Sequence, residues 1–257
     1  MIETTNRQTA SFFRPGWLVL ALLLFTLPAC VTQQEPAAVT ARGYGIDEDL
    51  PSSGEEELAA IIAPYQEELS GQMNEVVGRL PQTMRKGSPE STLGNWLADL
   101  LYTEAAAHFN RPISFAVQNA GGIRVPELAA GPLTVGKVYE LMPFDNTLVL
   151  STMSGTVLQR FIDHMAAGGG WPVSKQLRYT IAGNKAENIT IDGRPLDPAA
   201  TYTIALPDYV ANGGSDSEML VGTEQVDDGL LLREVIIEHL RARKDEPVAA
   251  LEDGRVK

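Results

Sequence analysis

The sequence predicts one α+β (mixed α/β) domain, a mixed sheet with flanking helices, over about residues 58–250. Two observations carry this. Segments with apolar residues at helical spacing are interspersed with short β-branched or aromatic runs, without the regular β–α alternation of a wound parallel sheet. The strand-like runs then concentrate in the C-terminal part, where an Asp-Gly pair between apolar flanks marks a tight hairpin. No internal repeat is visible, and a composition 44 % hydrophobic and 21 % charged is that of an ordinary globular chain.

In chain order, "ELAAIIAPYQEELSGQMNEVV" has apolar residues at helical spacing, with Pro64 expected to kink or restart the helix. "VVGRL" reads as a short strand. "PESTLGNWLADLLYTEAAAHF" predicts a stronger helix: Ser91 or Thr92 can accept from the free N–H groups of its first turn, and Leu93, Trp96, Leu97, Leu100 and Leu101 form an apolar stripe. "ISFAV" follows as a buried strand, "TVGKVYELM" as a helix capped by Thr134, and "TLVLSTM" as a strand. "SGTVLQRFIDHMAAGGG" runs from a Ser154 cap to a glycine stop, with Gly168–Gly169–Gly170 as a flexible exit. "LRYTIAG", "NITI" and "TYTIAL" are strands, Asp192-Gly193 makes the hairpin turn, and "LLLREVIIEHLRA" closes the domain as an amphipathic helix.

The N-terminal residues are of another kind. Arg7 and Arg14 precede the apolar run "WLVLALLLFTL", and "LPAC" ends at Cys30, which predicts a secretory signal over residues 1–30. Cys30 is the only cysteine of the 257 residues, so it forms no internal disulfide. Leu27, Ala29 and Cys30 resemble the lipobox of bacterial lipoproteins. The resemblance implies that Cys30 is lipidated and that the mature chain is anchored in the cell envelope, each acyl methylene contributing about 0.8 kcal/mol. Val31, where aspartate would retain the chain, is similar to the pattern that sends lipoproteins to the periplasmic face of the outer membrane. Residues 31–57 are polar and aperiodic and read as a flexible tether.

Several chemistries are argued against. A net charge of −13 without a dense basic stripe disfavours a nucleic-acid polymer as partner, although a small anion can bind at one arginine. His108, His164 and His239 are the only histidines; His108 and His164 sit in predicted helices without a histidine or acidic residue four positions later, and His239 lies in the last helix. One cysteine excludes a cysteine-type zinc site, and neither a nucleophile elbow nor a Walker loop occurs. No catalytic residue, metal site or cofactor is expected in this chain.

Three loops remain. In "NAGGIR", Gly121 and Gly122 allow close backbone approach, Asn119 offers a donor and an acceptor, and Arg124 offers a planar fork for an anion. Read alone, the segment fits a plain turn with a surface arginine as well as a binding turn. In "YELMPFDNTLVL", Pro143 sets Phe144 beside a turn, as a core plug or as an exposed ring. In "LPDYVANGGSDSEML", Tyr209 lies in an irregular loop with Asn212, Gly213 and Gly214. Two such aromatics can sandwich a flat ring.

Together, "ESTLGNWLADLL", "ISFAVQNAGGIR", "GPLTVGKVYELMPFDNTLVL", "LRYTI" and "IDGRPLDPAATYTIALPDYVANGGSD" resemble the C-terminal domain of the 5′-nucleotidase family, in order and spacing. The resemblance implies a nucleotide-binding domain. Phe144 and Tyr209 take the places of the stacking aromatics, Asn119 that of the base-reading asparagine and Arg124 that of a phosphate-binding arginine. Gly121 and Gly122 admit the ligand, and Asn212, Gly213 and Gly214 shape the loop beneath the sugar. The family pattern has aspartate directly after "ANGG", where it holds the ribose hydroxyls; here Ser215 stands there and Asp216 follows, so either Asp216 restores the ribose-binding carboxylate or Ser215 replaces it with weaker binding. A second phosphate-binding arginine is replaced by Pro89, with Arg85 and Lys86 nearby. In the family this domain follows a two-metal phosphatase domain. The resemblance therefore implies either the recognition half of a nucleotide-hydrolysing pair, whose divalent metals sit in a separate metallophosphatase chain, or a non-enzymatic nucleoside- or nucleotide-binding lipoprotein. A structural lipoprotein that keeps the fold without a ligand is a third role.

Overall fold

The structure, a computed structural model, describes residues 55–257; the expected signal segment, Cys30 and nearly all of the tether lie outside the described residues. The helices are α1 (Glu55–Met73), α2 (Thr92–Phe109), α3 (Val135–Leu141), α4 (Gly155–Ala167), the single turn α5 (Asp208–Ala211) and α6 (Leu232–Ala242). The strands are β1 (Val76–Leu80), β2 (Met84–Arg85), β3 (Phe115–Ala116), β4 (Glu127–Leu128), β5 (Gly131–Thr134), β6 (Leu148–Ser154), β7 (Leu177–Ala182), β8 (Lys185–Ile191), β9 (Arg194–Pro195), β10 (Thr201–Pro207) and β11 (Glu224–Val226). The α+β class is as the sequence predicts.

A four-stranded mixed sheet, in the order β11-β6-β10-β3, forms the centre. β10 runs antiparallel to β6 and parallel to β3, with Ile204 opposite Phe115. Both faces are covered, so its strands are apolar on both sides. Strand period divides them between two cores. Leu148, Leu150, Ala116 and Ala205 face α2, α3 and α6 in one core. Phe115, Val149, Ile204 and Leu206 face α4 and the β7-β8-β9 sheet in the other. Fully burying one such leucine or isoleucine contributes about 1.5–3 kcal/mol.

Local signals act where the sequence places them. The Ser91 hydroxyl accepts from Gly94 N at 3.1 Å, so Ser91 caps α2, while Thr92 Oγ1 accepts from Arg85 N instead. Thr134 caps α3 and Ser154 caps α4. Asp192 and Gly193, with φ of 49° and 74°, turn β8 into β9.

Two local expectations are corrected. α1 continues through Pro64 without restarting. Proline removes the hydrogen bond to the carbonyl four residues earlier, and Ala60 is exposed, so water can take that carbonyl. The glycine run after α4 is not a free exit. Gly170 is buried with φ of 97°, and a Cβ there would lie 2.6 Å from the Pro89 carbonyl oxygen. α1 also leaves its apolar stripe uncovered among the described residues, with Leu58, Ile61, Ile62, Tyr65 and Leu69 all exposed.

The residues after 250 are part of the same compact unit. Arg255 is 3 % exposed. Its guanidinium donates to both Asp99 oxygens at 2.9 and 3.1 Å, to Asp253 at 2.9 and 3.1 Å, and to Val173 O at 2.9 Å. Glu90 accepts from Asn95 Nδ2, Asp253 N and Gly254 N at 2.6–2.9 Å. The tail is thereby strapped to the start of α2.

Partial burial raises the Asp253 carboxyl, but the hydrogen bonds and charge of Arg255 outweigh it and hold the group below its ordinary value of 3.8. A depressed carboxylate stabilises the fold above its unfolded pKa, and that contribution is lost as pH falls through the folded value. Acid titration of thermal stability is therefore expected to show a loss beginning below about pH 4 that is smaller in Asp253→Asn. Arg255→Met removes the main cationic partner of both carboxylates, leaving Asp99 with Lys175 N and Asp253 with Arg178, and is expected to cost about 2–4 kcal/mol in urea unfolding, less than for a wholly buried pair because Asp99 and Asp253 are partly exposed.

Candidate functional site

Topology brings the three loops to one end of the central sheet. β3 and β10 are parallel, so the segments after them, from Gln118 and from Asp208, leave the same edge. β6 is antiparallel to β10 with Leu148 opposite Pro207, so the segment before β6 enters there too. Open mixed sheets bind ligands at such strand ends.

The first loop turns through a short 3-10 segment, Ala120–Gly122, closed by Gly122 N donating to Asn119 O at 3.0 Å. Gly122 has no room for a side chain: a Cβ would overlap the Gln118 amide and the Asn119 side chain. Gly121 is exposed and has only ordinary contact, which leaves its backbone open to a ligand. Asn119 is 4 % exposed. Its Oδ1 accepts from Gln118 Nε2 at 2.9 Å, and its Nδ2 donates to Ser215 Oγ at 3.0 Å. An amide has two acceptor and two donor positions, so one of each stays available. Arg124 is anchored by its backbone N–H to Leu141 O at 3.1 Å. Its guanidinium donates to Gly121 O at 3.3 Å and lies 5.6 Å from the centre of the Phe144 ring.

Arg233 of α6 holds the second loop. It donates to Phe144 O at 3.2 Å and to Asp145 Oδ1 at 2.7 Å, and it stacks 4.3 Å over the Tyr139 ring. Leu232 N donates to Asn146 O at 2.9 Å. Asp208 joins the second loop to the third, because its Oδ1 accepts from Thr147 N and its own N–H donates to Thr147 O. In the third loop the chain folds under Tyr209. Gly214 N donates to Tyr209 O at 2.8 Å, and a Cβ on Gly214 would lie 2.5 Å from the tyrosine ring.

These contacts leave two aromatic rings in the open, Phe144 at 39 % exposure and Tyr209 at 50 %. Phe144 is therefore an exposed ring and not a core plug. The two line one cleft of about 330 Å³ with Asn119, Gly121, Gly122, Arg124, Asn146 and Ser215. Arg124 is the sole charged residue among these, so the cleft is locally cationic in an acidic chain. The lining suits a flat ring, an amide-reading edge and an anion.

Six residues given a binding role from the sequence, with Ser215 beside them, thus meet in the cleft. Four others, Gly213 among them, do not line it. Gly214 packs beneath Tyr209, and Asn212 is exposed, its backbone N–H spent on Asp208 O at 2.9 Å. Asp216, the expected ribose carboxylate, lines a neighbouring depression with His164, Gly168 and Trp171, because Ser215 and Asp216 both take left-handed backbone (φ 56° and 58°) and turn the chain away. Asn146 in the lining, and Arg233 and Gln118 as its supports, are additions from the structure; nothing local in the sequence marks them. The histidines have other partners: His108 meets Asp228 at 3.2 Å, His164 meets Ser215 O at 2.8 Å and His239 meets Glu104 at 2.6 Å. Among the described residues no group of three or more His, Cys, Asp or Glu side chains is placed to hold a metal ion.

Known proteins resemble this chain in sequence and fold. The family described as 5′-nucleotidase, C-terminal domain matches residues 71–222. A 5′-nucleotidase of Vibrio vulnificus is 30 % identical over 201 residues, covering 76 % of this chain and 33 % of its own. Endonuclease YhcR of Bacillus subtilis is 28 % identical over 210 residues, covering 77 % of this chain and 16 % of its own. Among solved structures, the 5′-nucleotidase precursor from Thermus thermophilus superposes with a TM-score of 0.65 at 27 % identity, over 79 % of this chain and 43 % of that one. The chain therefore spans a third or less of these two curated relatives and under half of the solved one. A family match over more than half of the chain, on the fold and cleft described above, makes this chain a member of the 5′-nucleotidase C-terminal domain family.

Proposed function

We propose that this chain is a nucleotide-recognition domain. It is anchored through lipid on Cys30 at the periplasmic face of the outer membrane and acts in nucleotide hydrolysis with a separate metallophosphatase subunit that carries the divalent metals. The observation that carries the recognition role is the pair of half-exposed rings, Phe144 and Tyr209, on one cleft whose sole charge is Arg124. The base stacks on the rings, which contributes about 1–3 kcal/mol per base. The free positions of the Asn119 amide meet the base edge, and Arg124 meets the phosphate as a planar fork. Gly121 and Gly122 let the ligand approach the backbone, while Gly214 keeps Tyr209 upright.

One observation supports a partner: among the described residues, α1 carries an uncovered apolar stripe from Leu58 to Leu69 on which another protein surface can pack. Tethering both proteins to one membrane raises their effective concentration. The alternative, a lipoprotein that binds nucleosides or nucleotides without hydrolysis, shares the cleft and differs only in the partner. Mixing the chain with a metallophosphatase from the same envelope separates the two: a gain in AMP hydrolysis that is lost in Ile61→Glu/Tyr65→Glu supports the hydrolytic pair, and no gain supports the alternative.

Calorimetry tests the cleft. Phe144→Ala and Tyr209→Ala are each expected to weaken AMP binding by about 1–3 kcal/mol, and unchanged affinity in both would remove the stacking model. Arg124→Ala is expected to weaken AMP binding by about 1.5–3 kcal/mol while leaving adenosine nearly unaffected. An equal loss for both ligands would show that Arg124 supports the loop and does not hold phosphate.

A further inference from the structure

Gln118 is wholly buried and does not line the cleft. Its Nε2 donates to Asn119 Oδ1 at 2.9 Å and to the main-chain oxygen of Asn119 at 3.4 Å. Its Oε1 is buried with no hydrogen-bond partner among the described residues. A buried acceptor without a partner is destabilising, and methionine or leucine would fill the same space without that penalty. The glutamine also excludes any side chain at position 122, since a Cβ on Gly122 would overlap its amide nitrogen. What an apolar residue could not supply at this position is an NH2 group directed at Asn119.

That NH2 group fixes the polarity of the Asn119 amide. The main-chain oxygen of Asn119 is an acceptor that cannot turn over, and it also accepts from Gly122 N at 3.0 Å. The Gln118 NH2 must therefore face it. Asn119 then brings its own side-chain oxygen to the same NH2, because the reversed amide would set two NH2 groups against each other. At its other end Asn119 Nδ2 donates to Ser215 Oγ at 3.0 Å, but a hydroxyl can donate or accept and so imposes no direction. Asn119 thus offers the cleft its remaining lone pair and its remaining N–H in one arrangement only.

Resting on the nucleotide reading, we propose that Gln118 is a positioning residue: by fixing which end of the Asn119 amide donates, it makes the cleft discriminate amino bases from keto bases. Adenine and cytosine carry an amino donor beside a ring-nitrogen acceptor. Hypoxanthine, guanine and uracil carry a ring N–H donor beside a carbonyl acceptor. The two edges have nearly the same shape and opposite polarity. An amide free to turn over meets either one, whereas a fixed amide matches one class and sets like groups against the other. Gln118 acts only through Asn119, because it is itself shut off from the cleft.

The test is calorimetric titration of the full chain with AMP and with IMP, whose bases differ in the polarity of this edge. The wild type is expected to bind one of them at least about fivefold more tightly, the equivalent of one net hydrogen bond. Gln118→Met frees the amide to turn and is expected to bring the two dissociation constants within about twofold while the melting temperature is kept. Gln118→Leu takes its place should methionine not be accommodated. Asn119→Ala is expected to lose the preference as well. Gln118→Met/Asn119→Ala is then expected to give the same ratio as Asn119→Ala alone, as for two residues that act through one contact. A purely structural role would weaken both ligands alike, so a folded Gln118→Met that keeps the wild-type ratio overturns the proposal. Equal binding of AMP and IMP by the wild type overturns it while leaving the nucleotide reading in place, whereas binding of neither overturns both.

Discussion

The parallel pairing of β3 with β10 is the constraint on which the rest depends. It sets Phe115 beside Ile204 although 89 positions separate them along the chain. That pairing needs burial on both faces, and the two cores supply it. It also fixes where the strands end. The bond between Asn119 and Ser215 exists because their strands stop side by side, and both residues line the cleft and the depression beside it.

Beyond the strand ends, rigidity comes from small and charged residues in unlike roles. Gly122 and Gly214 remove atoms so that Gln118 and Tyr209 can occupy the space. Arg233 adds a clamp, tying the loop of Phe144 to α6 through one guanidinium that also stacks on Tyr139. The two open rings are therefore held from below and at their backbones, which leaves their faces free. Aromatic rings fixed in this way lose little further freedom when a ligand stacks on them.

Much of the fold was legible because its signals are local. Ser91, Thr134 and Ser154 cap helices by bonds spanning three residues, and Asp192-Gly193 turns a hairpin by its own dihedral preference. The loop residues Asn119, Arg124, Phe144 and Tyr209 were legible as a set, since turn chemistry and unburied aromatics stand out beside periodic segments. What could not be read depends on distant partners. Nothing near Arg233 or Arg255 tells that one clamps the Phe144 loop and the other meets Asp99. Asp216 shows a subtler limit. Residue count placed it one step past the family position, but with two consecutive left-handed residues it lines the depression beside the cleft. α1 was legible as an amphipathic helix, yet the sequence alone does not say that its stripe is left uncovered.

The strap at Arg255 also orders events in time. Its partner Asp99 lies 156 residues earlier, and Glu90 waits for the backbone of Asp253 and Gly254. A chain made from its N-terminus must hold α2 without that counter-charge until the tail has been synthesised. Contacts of such separation form late and slow the search for the native state. Completion of this domain is thus coupled to synthesis of the strapping residues, and until then the carboxylates beside α2 lack their counter-charge.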